Sequence, residues 1–399
     1  MDAYLLDWLN LLLRWAHIVT GIAWIGASFY FVSLDNSLTP PKDPKDAAKG
    51  VGGEQWGVHG GGFYHHMKYP VSPPALPAQL HWSMWEAYST WLTGFALFTV
   101  LYLYNASTFL IDKTLFDWSP AAAIATALGF FVAFWVVYDT LCRVFGRGRN
   151  GDVIVGLLVF VFIVFASWLS CRLFAGRAAF LLVGAMVATT MSANVFFWII
   201  PGQRTVVAAI KAGDPVDPVH GERGKQRSMH NTFFTLPVLF TMMSNHHGFT
   251  YGAKYNWLVL VAIMVAGALI RTSFALRHKA LAFGKPVPWH CAVIGTLLLG
   301  GLVFAMLPPP QPAQSAAAAP ASFAEVQAVL TQRCTACHGA AMQSKNVRLD
   351  SAEEVGRHAQ AIYQQAVVLK LMPMNNATQI TDAERALLGR WFTAGASTK

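Results

Sequence analysis

Long apolar runs separated by short polar segments dominate the first three quarters of the chain. A bilayer core of about 30 Å needs about 20 apolar residues in a helix, and eight runs meet that requirement. The predicted spans are Trp8–Leu34, Leu80–Tyr104, Pro120–Arg143, Val153–Arg172, Arg177–Ile200, His230–Phe249, Tyr255–Leu276 and Trp289–Leu307. The pattern therefore predicts an all-α fold, with a polytopic membrane bundle of about eight transmembrane helices over residues 1–307.

The pattern changes after residue 307. Residues 308–322 are rich in Pro and Ala, a composition typical of an extended linker. Residues 323–399 have the mixed composition of a soluble domain and contain three capping boxes, each of which predicts a helix start. The boxes pair Ser322 with Glu325, Ser351 with Glu354 and Thr381 with Glu384. The tail is therefore predicted to be a small three-helix domain.

Composition and charge agree with this division. Hydrophobic residues make up 55% of the chain and charged residues only 12%, which excludes an ordinary soluble enzyme. The net charge of +9 arises mainly from loops: 16 Lys and Arg residues follow odd-numbered spans and 4 follow even-numbered spans. By the positive-inside rule, the odd-numbered loops are cytoplasmic and both termini lie outside. The basic total therefore predicts no nucleic-acid partner.

The most specific motif is Cys334-Thr335-Ala336-Cys337-His338 in the tail. Two cysteines at this spacing form thioethers to a haem, and the adjacent His is an axial iron ligand. A zinc site would need more ligands than His358 supplies, and a thioredoxin-type pair would need a βαβ unit. We therefore predict covalent haem c. Its attachment outside the cytoplasmic membrane agrees with the topology.

The second axial ligand is expected on a loop before the last helix. Leu371-Met372-Pro373-Met374 supplies two methionines there. The Met-Pro pair resembles the ligand loop of class I cytochromes c, which favours Met372 over Met374 as the iron ligand. A thioether ligand raises the haem potential, as suits an electron acceptor. Either Met is alternatively a core residue.

Ionisable residues inside spans are candidates for function because burying them in lipid is costly. Towards the predicted outer side lie His17 on span one and His246 and His247 near the end of span six. Imidazoles from two helices can clamp a b-type haem, with Arg14 near a propionate; alternatively, these histidines cap helices. A possible second cofactor, haem b, is therefore assigned to His17 with His246 or His247.

A second polar layer lies towards the predicted cytoplasmic side. Its catalytic candidates are His81, Glu86, His230, Arg204 and Arg227, accompanied by Gln203 and Asn231. Such a layer offers Arg and amide donors for an anion, and a base for proton transfer. The sequence does not choose among these residues.

Several features together resemble bacterial membrane-bound urate oxidases fused to cytochrome c, also called urate hydroxylases. They are the first helix with its Arg14-Trp15-Ala16-His17 start, the loop Gly60-Gly61-Gly62-Phe63-Tyr64, His81-Trp82 with Glu86, the Pro-rich linker and the Cys-x-x-Cys-His tail. The resemblance covers essentially the full length. The first span also resembles that of membrane protoporphyrinogen oxidases, where a His binds haem b.

The resemblance implies oxidation of urate to 5-hydroxyisourate with water as the oxygen donor. Electrons would pass to haem c and on to a respiratory-chain acceptor, without peroxide release. It also implies a bacterial inner membrane, with the haem c domain in the periplasm. Two other functions stay open: a cytochrome subunit that relays electrons from quinol without a purine site, and a transporter or sensor.

Overall fold

The computed structural model describes residues 2–148, 150–307 and 321–398. Helices form nearly all of its regular structure. The first half contains α1 (Asp2–Ser37), α2 (Pro44–Ala48), β1 (Gly53–His59), β2 (Gly62–Lys68), α3 (Trp85–Phe98), α4 (Ala106–Phe109), α5 (Pro120–Phe145), α6 (Gly151–Leu173) and α7 (Gly176–Asn194). The α3 helix continues as a π-helical turn, Thr99–Leu103.

The second half of the bundle begins with another π-helical turn, Val195–Ile199, which joins α7 to α8 without a break. The elements that follow are α8 (Ile200–Ala212), α9 (Val219–Met243), the 3-10 turn Ser244–His246, α10 (Gly248–Tyr251), α11 (Asn256–Ala282) and α12 (Trp289–Ala305). Each of the eight predicted apolar runs therefore contains a helix.

Five helices in the described part of the chain are long and apolar enough to cross a membrane. They are Tyr4–Ser37, Pro120–Phe145, Gly151–Leu173, Gly176–Ala212 and Asn256–Ala282, and Trp289–Ala305 is a shorter apolar helix. The predicted sixth span begins earlier than expected, because α9 starts at Val219. The architecture is thus an all-α membrane bundle, and the total of eight spans stays a prediction.

The α7 helix lies at the centre of the bundle and packs against α5, α6 and α9. Small residues allow this close packing: Ala178 and Ala179 are fully buried, and a Cβ at Gly184 would overlap the side chain of Thr241 on α9. By contrast, α1 and α6 carry large exposed apolar side chains such as Ile22 and Leu157. Exposed apolar surface of this kind fits contact with lipid.

A short β-hairpin interrupts the helical pattern in the first long loop. Strands β1 and β2 pair antiparallel, with His59 opposite Gly62. The turn between them uses Gly60 and Gly61, which have φ of 58° and 81°. Positive φ at both central residues is what a tight hairpin turn requires, and glycine adopts it without strain. The purely α-helical prediction missed this hairpin.

The tail forms a separate hydrophobic core around Leu330, Leu388 and Trp391. Its helices are α13 (Phe323–Arg333), α14 (Ala352–Arg357), α15 (Ala359–Ile362) with the π-helical turn Tyr363–Val368, and α16 (Asp382–Thr393). Both partners of the first and third capping boxes form their reciprocal bonds, whereas in the second the Ser351 hydroxyl accepts from Glu354 N. Most of the predicted linker, residues 308–320, lies outside the described residues.

The tail lies against one end of the bundle. The 3-10 turn Met374–Asn376 contacts α4, and a Cβ at Gly248 would overlap Leu371. The α4 helix follows span two and Gly248 lies at the end of span six, so the tail packs on the end that carries the even-numbered loops. This is the end that the charge pattern assigns to the outside.

Candidate functional site

A buried ion-pair network occupies the odd-loop half of the bundle. Asp139 on α5 is 7% exposed, and its carboxylate accepts from Arg227 Nη2 on α9 at 2.8 Å. Arg143 Nε lies 2.7 Å from the second carboxylate oxygen, and Trp198 Nε1 donates to the first at 2.7 Å. The Arg227 guanidinium also lies over the rings of Tyr138 and Trp198, 5.0 and 5.2 Å from their centroids. Two guanidinium groups on one carboxylate leave excess positive charge there.

The network continues through neutral groups from α5, α7 and α9. Asn194 Nδ2 donates to the Tyr138 hydroxyl at 3.1 Å and to Asn231 Oδ1 at 2.9 Å. Because the Tyr138 oxygen accepts there, its own proton is free to be donated to His230 Nδ1, 2.8 Å away. Asn231 Nδ2 donates to Met191 O at 3.0 Å. The helices thus hold the half-buried His230 within hydrogen-bond distance of Tyr138.

Two atoms of the network lack a hydrogen-bond partner within the described residues. They are Nη1 of Arg227, a donor, and Oδ1 of Asn194, an acceptor. Leaving buried polar atoms unpaired costs free energy, so these are the positions where a water or a ligand atom would gain most.

The structure brings together only some of the predicted inner residues. Arg227, His230 and Asn231 all belong to the network. His81 is exposed and precedes α3, Glu86 lies in the first turn of α3, and Arg204 is exposed on α8 beside Gln203. None of these four side chains hydrogen-bonds to the network in the part of the chain that the structure covers.

Four residues of the network were not predicted from the sequence: Tyr138, Asp139, Asn194 and Trp198. Of the four, Asp139 carried a signal in the sequence: it is a carboxylate inside a predicted span, a position that favours a functional or paired residue. Its partner Arg227 lies 88 positions away in the sequence. Only the tertiary structure shows that side chains of α5 and α9 bring the two charges together.

The three outer histidines occupy different environments. His17 Nδ1 lies 3.1 Å from Thr90 O and 3.2 Å from Thr93 Oγ1, and its ring lies against Gly94 of α3. His246 and His247 are exposed and line a cavity of about 820 Å³ between the bundle and the tail. His17 does not line that cavity, and no contact among the described residues pairs it with His246 or His247. The bridging haem b, with His17 and either His246 or His247 as its ligands, therefore stays a prediction.

The cavity beneath the tail joins polar groups of both parts. Arg177 Nε donates to Asn245 Oδ1 at 3.1 Å, and Tyr102 donates to the same oxygen at 3.1 Å. Leu371 and Met372 line the cavity from the tail. The loop with the predicted iron ligand therefore faces the end of the bundle that carries His246 and His247.

The predicted haem-binding motif follows directly after α13. Cys337 N and His338 N both donate to Cys334 O, at 3.1 and 2.9 Å, which folds the motif into a single turn. Both cysteines are free thiols, and burial raises the pKa of the Cys334 thiol to about 11. His338 Nδ1 lies 3.2 Å from Val347 O, so the ring can donate there and keep Nε2 for iron. The residues of the motif therefore fit the predicted covalent haem c.

The Met372 loop is held from within the tail. Met372 N donates to Gln365 O at 3.0 Å, and Arg385 Nη1 donates to Met372 O at 2.8 Å. Arg385 is 6% exposed and also donates to Ala366 O. A buried guanidinium thus fixes the backbone of the predicted ligand loop. A zinc site is less compatible, since the described residues contain no group of three or more His, Cys, Asp and Glu placed to hold a metal.

Taken with the apolar helices, these features define a helical membrane protein with buried charge in its bundle. Residues 3–306 match the urate oxidase N-terminal family, and the chain belongs to that family. The family makes it an oxidoreductase related to urate oxidases, with urate as the implied substrate. Searches of curated proteins and of solved structures gave no match.

Proposed function

We propose that this protein oxidises urate to 5-hydroxyisourate at the membrane domain and passes the electrons to a haem c in its tail. The observation that carries the proposal is the family match over residues 3–306, to which this chain adds a Cys-x-x-Cys-His tail. Urate C5 gains the oxygen of water, while two electrons and two protons leave. The electrons go to a respiratory-chain acceptor, and no peroxide forms.

The residues that would hold the haem are Cys334 and Cys337 by thioethers and His338 and Met372 as axial ligands. When bound, such a group accepts one electron at a time at a potential raised by its thioether ligand. Support for a route from the bundle comes from the Met372 loop, which lines the cavity shared with His246 and His247. Arg385 holds that loop through the Met372 carbonyl.

The decisive experiment is anaerobic addition of urate to the purified protein while the haem spectrum is recorded. Two equivalents of haem should be reduced per urate consumed, with no quinol present. Reduction only after quinol is added would contradict the proposal and favour the quinol relay. Pyridine haemochrome analysis of the same sample counts b and c haems, and finding haem c alone would remove the predicted haem b.

The haem assignment has its own test. The variant with Cys334→Ala and Cys337→Ala should lose haem staining on a denaturing gel, whereas Cys291→Ala, a control at a lone cysteine outside the motif, should retain it. Staining that survives the double change would exclude covalent attachment at this motif. Met372→Ala should keep the stain but change the visible spectrum. Met374→Ala should keep both the stain and the wild-type spectrum.

The proposed topology places both termini and the tail in the periplasm of a bacterial inner membrane. Its support is the excess of Lys and Arg in the odd-numbered loops, together with the packing of the tail on the opposite end of the bundle. Reporter fusions at Lys399 and within residues 211–227 should report opposite compartments. A cytoplasmic C-terminus would refute this topology.

A further inference from the structure

A second buried arginine lies in the odd-loop half of the bundle, beside a cavity. The cavity has a volume of about 380 Å³ and is lined by α1, α9 and α11. Its lining includes Phe29 and Ser33 of α1 and Arg271, Phe274, Arg277 and His278 of α11. Its volume is within the range of about 300–1,000 Å³ that is usual for small-molecule sites.

Arg271 has no partner for its charge in the described residues. It is only 7% exposed, its Nε and Nη2 make no hydrogen bond, and none of the described carboxylates forms an ion pair with it. Its one described interaction is with Phe29, whose ring centroid lies 3.8 Å from Cζ. A buried guanidinium without an anion is costly, which indicates that the anion comes from a ligand.

The two unpaired donors define the shape of that anion. Nε–H and Nη2–H lie side by side on one edge of the guanidinium, the edge that forms bidentate bonds with two neighbouring acceptors. Urate has such a pair, because its deprotonated ring nitrogen lies next to a carbonyl oxygen. A tetrahedral phosphate would satisfy the donors as well, but it would not use the aromatic walls.

The remaining walls also favour a planar aromatic anion. Phe29 and Phe274 supply aromatic surface, and Arg277 and His278 add basic groups, whereas none of the described residues lining the cavity is acidic. Phe274 is oriented by Trp289, with ring centroids 5.7 Å apart and an interplanar angle of 84°. Aromatic faces bind planar rings through stacking and edge contacts.

We propose that this cavity binds the urate monoanion, with Arg271 holding the anionic edge and Phe29 contacting the ring. The inference deepens the proposed urate oxidation and rests on it. It selects Arg271 over the paired Arg227 as the anion-binding group. It also places urate in the half of the bundle that the charge pattern assigns to the cytoplasm, since Ser33 and His278 lie near the odd-loop ends of their helices.

The test is equilibrium binding of radiolabelled urate to the full-length protein in nanodiscs of zwitterionic lipid, without oxygen. Arg271→Gln should raise the urate Kd about tenfold or more, the loss expected for a charge-assisted hydrogen-bonded pair. Lys279→Gln removes one exposed charge from the same helix outside the cavity and should leave the Kd within about twofold. Phe29→Leu keeps the charge and should raise the Kd about threefold or more.

An unchanged Kd in Arg271→Gln overturns the proposal. If that variant does not fold, Phe29→Leu decides, and an unchanged Kd there overturns it too. Repeating the measurement with phosphatidylglycerol nanodiscs distinguishes a lipid phosphate. If phosphatidylglycerol stabilises the wild-type protein but not Arg271→Gln, while both still bind urate, the cavity is a lipid site and the proposal is contradicted.

Haem reduction by urate in the same preparations separates this inference from the proposed function. Wild-type protein that neither binds urate nor is reduced by it contradicts urate oxidation itself. Wild-type protein that is reduced by urate, with the same half-saturating concentration in Arg271→Gln, contradicts the site alone. Reduction with a half-saturating concentration about tenfold higher in Arg271→Gln supports both.

Discussion

Two buried arginines in the same half of the bundle have opposite environments. Arg227 is 3% exposed and meets Asp139 at 2.8 Å, whereas Arg271 is 7% exposed and has no anion among the described residues. A paired charge within a membrane bundle holds helices in one arrangement, and an unpaired charge beside a cavity is ready for a ligand. The comparison teaches that burial alone does not mark a binding site; the missing partner does.

The largest effect is expected where the paired network loses its carboxylate. Asp139→Leu leaves the buried Arg227 guanidinium without an anion and should cost about 3–5 kcal/mol of stability. Thermal unfolding in detergent measures the loss. The double variant with Arg227→Leu should recover most of it, because no uncompensated charge remains. A single variant as stable as wild type would show that the ion pair is not what holds α5 to α9.

A smaller loss is expected from Tyr138→Phe. The change removes the hydroxyl between Asn194 and His230, so the buried Asn194 and the half-buried His230 each lose a partner at a cost of about 1–3 kcal/mol. The same unfolding assay measures it, with Tyr30→Phe as a control at an exposed hydroxyl bonded to His66. Equal stability of the two variants would argue against a stabilising chain of hydrogen bonds from Asn194 through Tyr138 to His230.

The cavity arginine should behave in the opposite way. Without urate, Arg271→Leu removes an uncompensated buried charge, so we expect a change in stability of less than about 1 kcal/mol or a gain. With urate, wild type should be stabilised and the variant should not, because a ligand stabilises only the state that binds it. A loss as large as that of Asp139→Leu would mean that Arg271 has a structural partner.

The smallest effect is expected at the exposed partner of Asp139. Arg143 is an i,i+4 neighbour with a side chain 61% exposed, so Arg143→Gln should cost at most about 0.5 kcal/mol. Comparing the stability of Arg143→Gln with that of Asp139→Leu separates the contribution of the exposed partner, Arg143, from that of the buried partner, Arg227. A cost above about 2 kcal/mol would place Arg143 within the buried network.

Much of the local structure followed from sequence patterns. Apolar run length predicted where the membrane helices lie, and capping boxes predicted the starts of α13 and α16, since both signals act within a few residues. The Gly60-Gly61 turn carried a hairpin signal of the same local kind, which the helical interpretation overlooked. Helix boundaries were less certain, as the early start of α9 shows.

The sequence alone determined that this is a helical membrane protein, because lipid demands long apolar helices. Its cysteine spacing predicts a covalent haem, because thioether attachment needs that fixed spacing. It could not determine which charges meet. In a linear count Arg271 was one more cytoplasmic loop charge, and Asp139 was not noticed. Tertiary structure decided the environment of each. Asn36 on α1 donates to Ala275 O on α11, 239 positions away, which holds α1 beside Arg271. Asp139 meets Arg227 from a helix 88 positions away. Pairing depends on distance in space, which only helix packing sets.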